Sequence, residues 1–344
     1  MKRLNVIGVI VCFVFLVTGV VATAGFAQEQ VITLKVSNWF PSGHRQDTLL
    51  KQWGEELEKR TNGKVKVNYY AAGTLVPAAQ SYDAVVKGIA DVSNHVLGYT
   101  MGLFPFSQVL DLPIGMPQGP AATKIANDMY AKFKPKEFDA VKILWFHGQP
   151  GAMLHTKTKP VASLEDLKGL KIRSFGSNAK FLGLLGAAPV AMPMTEVYDA
   201  LSKGVVDGLL SAWEALEGWK TGEHVKYSTL NTRTAYSATF LVAMNKQKFD
   251  SLPSDVKKTI DKMSKEYMEK FATMWTEADQ SGINWLKARG DKFIPLTKKE
   301  DARWYDTGAK PLVDQYIKDM KEKGLPGDQA VKFLLTSFKK YQKK

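Results

Sequence analysis

The sequence predicts an α/β protein of two lobes that carries one unusually long helix. Short segments of alternating apolar residues give way to helical segments and then to strands again, the pattern of α/β units with parallel sheet. Removing a 27-residue leader from the 344 residues leaves about 317, enough for two domains of ordinary size. A helical periodicity runs from Asp255 to Arg289, about 50 Å at 1.5 Å per residue, which exceeds a small lobe.

Each element has its own signal. Ile32, Leu34 and Val36 alternate with Thr33, Lys35 and Ser37, which predicts a strand. A helix from about Asp47 to Thr61 follows, with Leu50, Trp53 and Leu57 on one face and Asn62-Gly63 as its stop. Val65, Val67 and Tyr69 alternate as a second strand, a helix spans about Ala78 to Lys87, and Ala90-Asp91-Val92 opens a third strand. Further strands are expected over Val141 to Phe146 and Leu170 to Arg173. Helices are expected over Asn178 to Leu185 and from a Thr195 cap through Ser202. In the long helix Ser254 offers a cap, and Val256, Ile260, Met263, Tyr267, Phe271, Met274 and Ala278 recur at three or four. Either it bends near Ser281-Gly282 or it braces both lobes; Gly282 weakens a coiled coil.

The first residues predict export. Lys2 and Arg3 precede an apolar run from Val6 to Val21, and small residues from Ala22 to Ala27 follow. That order is a secretory signal peptide over 1–27, with cleavage after Ala27 or Ala24. The single cysteine, Cys12, lies inside it without a lipoprotein box, so the mature chain has no disulfide and no thiol chemistry. The net charge of +13 falls to +11 without Lys2 and Arg3. Acidic residues are interspersed with the lysines, so this reads as a solvated surface with a field that favours an anionic ligand. No nucleic-acid-binding module is present in the sequence.

Catalytic motifs are missing. There is no Gly-x-Ser-x-Gly elbow, no Gly-x-Gly-x-x-Gly loop and no Walker loop. The histidines His44, His95, His147, His155 and His224 form no metal-binding pair at helical spacing. No cofactor and no metal are expected.

One stretch is distinctive. Leu164-Glu165-Asp166-Leu167-Lys168-Gly169-Leu170-Lys171-Ile172-Arg173 leads into Gly186-Ala187-Ala188-Pro189-Val190. Then come Met192-Pro193-Met194-Thr195-Glu196-Val197-Tyr198-Asp199-Ala200-Leu201 and Gly204-Val205-Val206-Asp207-Gly208. Together with Gly73-Thr74-Leu75, Val86 to Asp91, Phe104-Pro105 and Leu252-Pro253, this resembles the solute-binding proteins of TRAP transporters, the DctP family. The resemblance implies a two-lobed periplasmic clamshell whose long helix spans both lobes. It also implies delivery of a small organic carboxylate to the permease subunits of a transporter driven by an ion gradient, without ATP. The lobes are expected to comprise 28–150 with about 241–275, and 151–240 with about 276–344; the protein is read as a monomer. Two rivals are the binding subunit of an ATP-driven importer, which this block argues against, and a secreted α/β enzyme.

Arg173 is the first candidate ligand residue. It ends a strand, where α/β sheets place ligands, and its planar fork matches a carboxylate. Spacing alone leaves a structural arginine paired to a nearby acid as the alternative; the family's carboxylate-binding arginine falls on Arg173. The resemblance also puts Ser211 at a polar ligand contact with Trp213 beside it. Met194 stands where sialic-acid-binding members carry an aromatic residue, and Met153 stands near their second arginine. Trp39, His95, His147 and Tyr236 lie in segments that line family clefts. The expected ligand is a monocarboxylate with an aromatic or otherwise apolar body.

Overall fold

The computed structural model describes residues 31–115 and 119–341. The predicted signal peptide and Cys12 lie outside the described residues.

Two sheets form the frame. The first contains β1 (Ile32–Ser37), β2 (Val65–Tyr70), β3 (Val92–Val96), β4 (Val141–Gly148) and β10 (Thr239–Asn245), in the order β2-β1-β3-β10-β4. The second contains β5 (Met153–Thr156), β6 (Lys171–Ser174), β7 (Ala188–Ala191), β8 (Gly208–Ser211), β9 (Tyr227–Leu230) and β11 (Lys292–Pro295), in the order β11-β9-β5-β8-β6-β7. Both sheets are mixed, a departure from the expected parallel arrangement. The strands that adjoin the crossings break it: β10 runs antiparallel to β3 and β4, and β5 antiparallel to β8 and β9. A strand arriving from the other sheet enters from the opposite end, so its direction is reversed.

The chain passes between the sheets after β4 and returns after β9. The two passing segments lie side by side. Gln149 N–H donates to Ala238 O at 3.2 Å and Ala152 N–H to Tyr236 O at 2.7 Å. This is a short two-stranded connection, able to change its dihedrals without disturbing either core.

The long helix runs unbroken from Ser254 to Ala288, 35 residues. Ser254 is its first turn, not its cap; Pro253 holds the N-cap position with no side-chain bond. Thr195 likewise sits within a short turn, Met194–Glu196, and does not cap the Val197–Ser202 helix. The long helix buries its predicted face. Trp145 of β4 packs on Tyr267 and Phe271, with ring centroids 6.2 and 5.5 Å apart. Further along, Glu214 N–H, just past β8, donates to Asp279 Oδ1 at 3.1 Å. The brace alternative therefore holds, and Gly282 is a point of close approach, not a bend. A Cβ there would stand 2.3 Å from the Trp213 carbonyl oxygen.

Beyond β11 the chain serves both sides. Arg303 pairs with Glu165, and Gly308 packs against Phe181 beneath the second sheet. The final helix, Gly327–Tyr341, lies on the Gly119–Phe133 helix beside the first sheet: Phe333 meets Phe133 at 5.8 Å and Tyr341 Oη donates to Asp128 Oδ2 at 2.8 Å.

Candidate ligand-binding site

Parallel strands of both sheets end facing one another, and the residues at and just past those ends enclose a small cavity. From the first sheet come Trp39 and Phe40 after β1, and Val96 and Tyr99 at and after β3. From the second come Arg173 and Phe175 on and after β6, and Ser211 and Glu214 at and after β8. Gln149, Tyr236 and Ala238 belong to the crossings, Phe240 begins β10, and Trp275 comes from the long helix.

Aromatic surface dominates. Eight rings line the space: Trp39, Phe40, Tyr99, Phe175, Trp219, Tyr236, Phe240 and Trp275. Trp39 is fixed by its Nε1–H bond to Asn94 O at 3.0 Å and stacks on Phe40 at 4.0 Å and Trp219 at 5.8 Å. Phe240 meets Trp275 at 5.2 Å and stacks on His147 at 4.8 Å. Such interlocked rings hold a rigid flat slot.

Among the described residues Arg173 is the only basic side chain lining this cavity, and it is 2% exposed. Its Nε and Nη2 both donate to Met192 O, at 3.1 and 2.9 Å. That fixes one edge of the guanidinium, and the Tyr99 hydroxyl also interacts with the fork. The Phe175 ring lies 5.1 Å from Cζ. Burial raises the Tyr99 pKa, and the adjacent Arg173 charge opposes that rise. Tyr99 Oη in turn accepts the Met194 N–H at 2.9 Å. Among the described residues no carboxylate pairs with Arg173 within 4.0 Å, so the pairing that would make it structural is not found. Glu214, the other charged lining residue, has its Oε1 2.6 Å from His44 Nε2. A larger groove lies between the Arg45–Arg60 helix and the long helix, but it is open to solvent and its lining has no buried cation.

This constellation coincides with a family match. Residues 36–319 fit the family model described as bacterial extracellular solute-binding protein, family 7, DctP. The chain belongs to this family. Members of the DctP family are periplasmic substrate-binding proteins of transporters, not enzymes. A TRAP periplasmic solute-binding protein from Desulfovibrio salexigens, in an open form, is 33% identical, with a TM-score of 0.79 over 91% of this chain and 97% of that one. A TRAP solute-binding protein from Rhodoferax ferrireducens in complex with copurified benzoate is 27% identical, TM-score 0.84, over 91% and 99%. One from a marine metagenome, specific for aromatic acid ligands and bound to metahydroxyphenylacetate, is 29% identical, TM-score 0.84, over 90% and 99%. The C4-dicarboxylate-binding periplasmic protein DctP of Rhodobacter capsulatus is 28% identical over 73% of this chain and 76% of its own length.

Within this DctP-family fold, five of the expected site residues converge on the cavity: Arg173, Ser211, Met194, Tyr236 and Trp39. Four do not line it. Trp213 turns away from it, packing on His155 at 5.0 Å and Phe293 at 5.3 Å. Met153 opens β5 opposite Ser211, half-buried, and contributes no wall. His95, within β3, is held away from the cavity wall, its Nδ1 2.8 Å from Ser81 Oγ and its Nε2 3.0 Å from Thr100 Oγ1. His147 supports the wall from behind: the Trp275 Nε1–H donates to its Nδ1 at 3.0 Å. Phe40, Tyr99, Gln149, Phe175, Trp219, Phe240 and Trp275 were not anticipated.

The buried histidines make stability depend on pH. Burial pulls the pKa of His95 down to about 3 and that of His155 to about 4, and His147 well below the usual range. Unfolded histidine protonates near pH 6.5, so below that the unfolded chain binds more protons and each histidine's contribution is lost on acidification. Asp111 and Asp279 oppose this: burial pushes both up to about 7, so the folded state holds their protons between roughly pH 4 and 7. His95→Gln isolates one term. It is expected to flatten the stability profile by about 1.4 kcal/mol per pH unit between roughly pH 6.5 and 4. Urea midpoints at pH 7.5, 6 and 5 measure it, and parallel profiles for the two proteins would contradict it.

Proposed function

We propose that this protein captures an aromatic or branched monocarboxylate in the periplasm and hands it to the permease subunits of a TRAP transporter. The observation that carries the reading is a buried guanidinium without a carboxylate partner, facing a slot walled by aromatic rings. An unpaired buried charge costs several kcal/mol, and a ligand carboxylate on the fork offsets that cost. Rings supply the rest: removing about 100 Å² of apolar ligand surface from water contributes roughly 2.5 kcal/mol. Two structures at 27 and 29% identity hold benzoate and metahydroxyphenylacetate, which supports an aromatic body. A dicarboxylate needs a second cation, and among the described residues the cavity wall offers only Arg173. Met153, near the family's second arginine, carries no charge.

Because walls come from both sheets, ligand binding is read as closure about the crossings near Gln149–Ala152 and Tyr236–Ala238, with the protein acting as a monomer. A melting screen over three panels tests the ligand class: aromatic and 2-oxo acids, dicarboxylates, and uronates. Acids of the first panel are expected to raise the melting temperature, since ligand at 100 times Kd adds about 2.7 kcal/mol. Stabilisation by dicarboxylates or uronates alone would overturn this ligand class.

A further inference from the structure

Gln149 lines the cavity with a side-chain amide that lies close enough to the Tyr236 hydroxyl to oppose the rise that burial gives its pKa, but makes no well-formed hydrogen bond to it. Gln149 is 8% exposed, and its Nε2 has no hydrogen-bond partner among the described residues. Among the described residues no other cavity-lining side chain has a buried polar atom in that condition. Its backbone, by contrast, is tied at both ends: N–H to Ala238 O at 3.2 Å, and the carbonyl accepts from Ser237 Oγ at 2.7 Å. The side chain is therefore presented from the connection between the sheets, beside the Tyr236 hydroxyl, which donates to Leu210 O at 3.3 Å. A buried donor left without a partner is destabilising. Leucine would fill similar space beside these rings at no such cost.

We infer that Gln149 is a specificity-determining residue that reads an oxygen on the body of the ligand, separate from the carboxylate held at Arg173. This rests on the aromatic-acid reading and narrows it: the preferred ligands are acids carrying a hydroxyl or oxo group on the ring or the adjoining carbon. A hydroxyl can accept from the amide, whereas an unsubstituted ring leaves it unpaired. An apolar slot alone discriminates weakly against an added hydroxyl; a buried polar partner is what makes the distinction large.

Calorimetry on two ligand pairs tests it, benzoate against 3-hydroxybenzoate and phenylacetate against mandelate, with the wild type and Gln149→Leu. In the wild type at least one oxygenated acid is expected to bind about tenfold or more tightly than its parent. Gln149→Leu should lose that preference while holding the parent acid within about threefold of wild type. Equal binding within both pairs by the wild type, or a preference that survives Gln149→Leu, overturns the role of Gln149 while leaving the aromatic-acid reading intact. No binding of any of the four acids by the wild type overturns that reading and this one together. Gln149→Asn, which keeps the amide but shortens its reach, separates the cases where Leu disturbs folding: it should weaken the oxygenated acids more than their parents, and equal weakening counts against the proposal.

Discussion

Arg173→Ala is expected to weaken binding of whichever acid the melting screen identifies by about 30-fold or more. Truncating one partner of a buried charge pair costs about 2–5 kcal/mol, and 2 kcal/mol corresponds to about 30-fold. Arg173→Lys should recover little. An ammonium cannot reproduce a fork that grips Met192 O with one edge and, on the proposed reading, holds a carboxylate with the other. The ligand-free protein gives a second, independent readout. A structural arginine paired to an acid would leave that acid stranded when removed, a loss of about 3–5 kcal/mol. Arg173 has no such partner, so Arg173→Met should melt near or above wild type without ligand, because an uncompensated buried charge has gone. Unchanged affinity of a folded Arg173→Ala would end the assignment of Arg173 to the carboxylate. A large loss of apo stability in Arg173→Met would return it to a structural role.

The parts of the fold that were legible in the sequence are those with a clean period. The long helix repeats its apolar residues at three and four along its whole length, and its burial follows that repeat, from Val256 through Ile260, Met263, Tyr267 and Phe271 to Leu286. β1 alternates because its outer residues are partly exposed. β10, Thr239-Phe240-Leu241-Val242-Ala243-Met244-Asn245, is buried at every position, so nothing in it alternates and periodicity says nothing. The short strands β5, β7, β8, β9 and β11 have only four residues each, too few to show a pattern.

A strand-end position alone leaves Arg173 open to a structural role; the family resemblance points it to the ligand, and it lines the cavity. The aromatic slot could not be read from the sequence, because Phe40, Tyr99, Trp219, Phe240 and Trp275 come from five distant segments joined only by tertiary register. Trp213 shows the same limit from the other side. Ser211 and Trp213 both follow the path of β8, yet Ser211 lines the cavity and Trp213 packs behind it on His155; the inward tryptophan is Trp219, six residues further on. The one cheap signal overlooked was local: Phe40 adjoins Trp39 and shares its stack.

Gly282→Ala is expected to destabilise the protein by about 1–4 kcal/mol, against its helix propensity. In an exposed helix interior Ala is favoured over Gly by about 1 kcal/mol. At Gly282 the new Cβ would lie 2.3 Å from Trp213 O, 2.7 Å from Trp213 C and 3.2 Å from Glu214 N. These are backbone atoms and cannot rotate away, so the helix must move. Overpacking of this kind costs about 1–3 kcal/mol. Displacement also strains the Glu214 N–H bond to Asp279, one turn earlier on the same helix, and loss of a buried hydrogen bond adds about 1–3 kcal/mol. The two costs together exceed the propensity gain. Gly183→Ala is the matched control. Gly183 sits exposed in the Gly176–Leu184 helix, and its Cβ would meet only Pro189 Cγ at 3.8 Å, ordinary contact. There propensity acts alone, and a gain of about 0.5–1 kcal/mol is expected. Urea unfolding of both variants should therefore give shifts of opposite sign with unchanged m values. If Gly282→Ala stabilises as Gly183→Ala does, the helix has room at Trp213 and its contact with the second sheet is looser than these distances require.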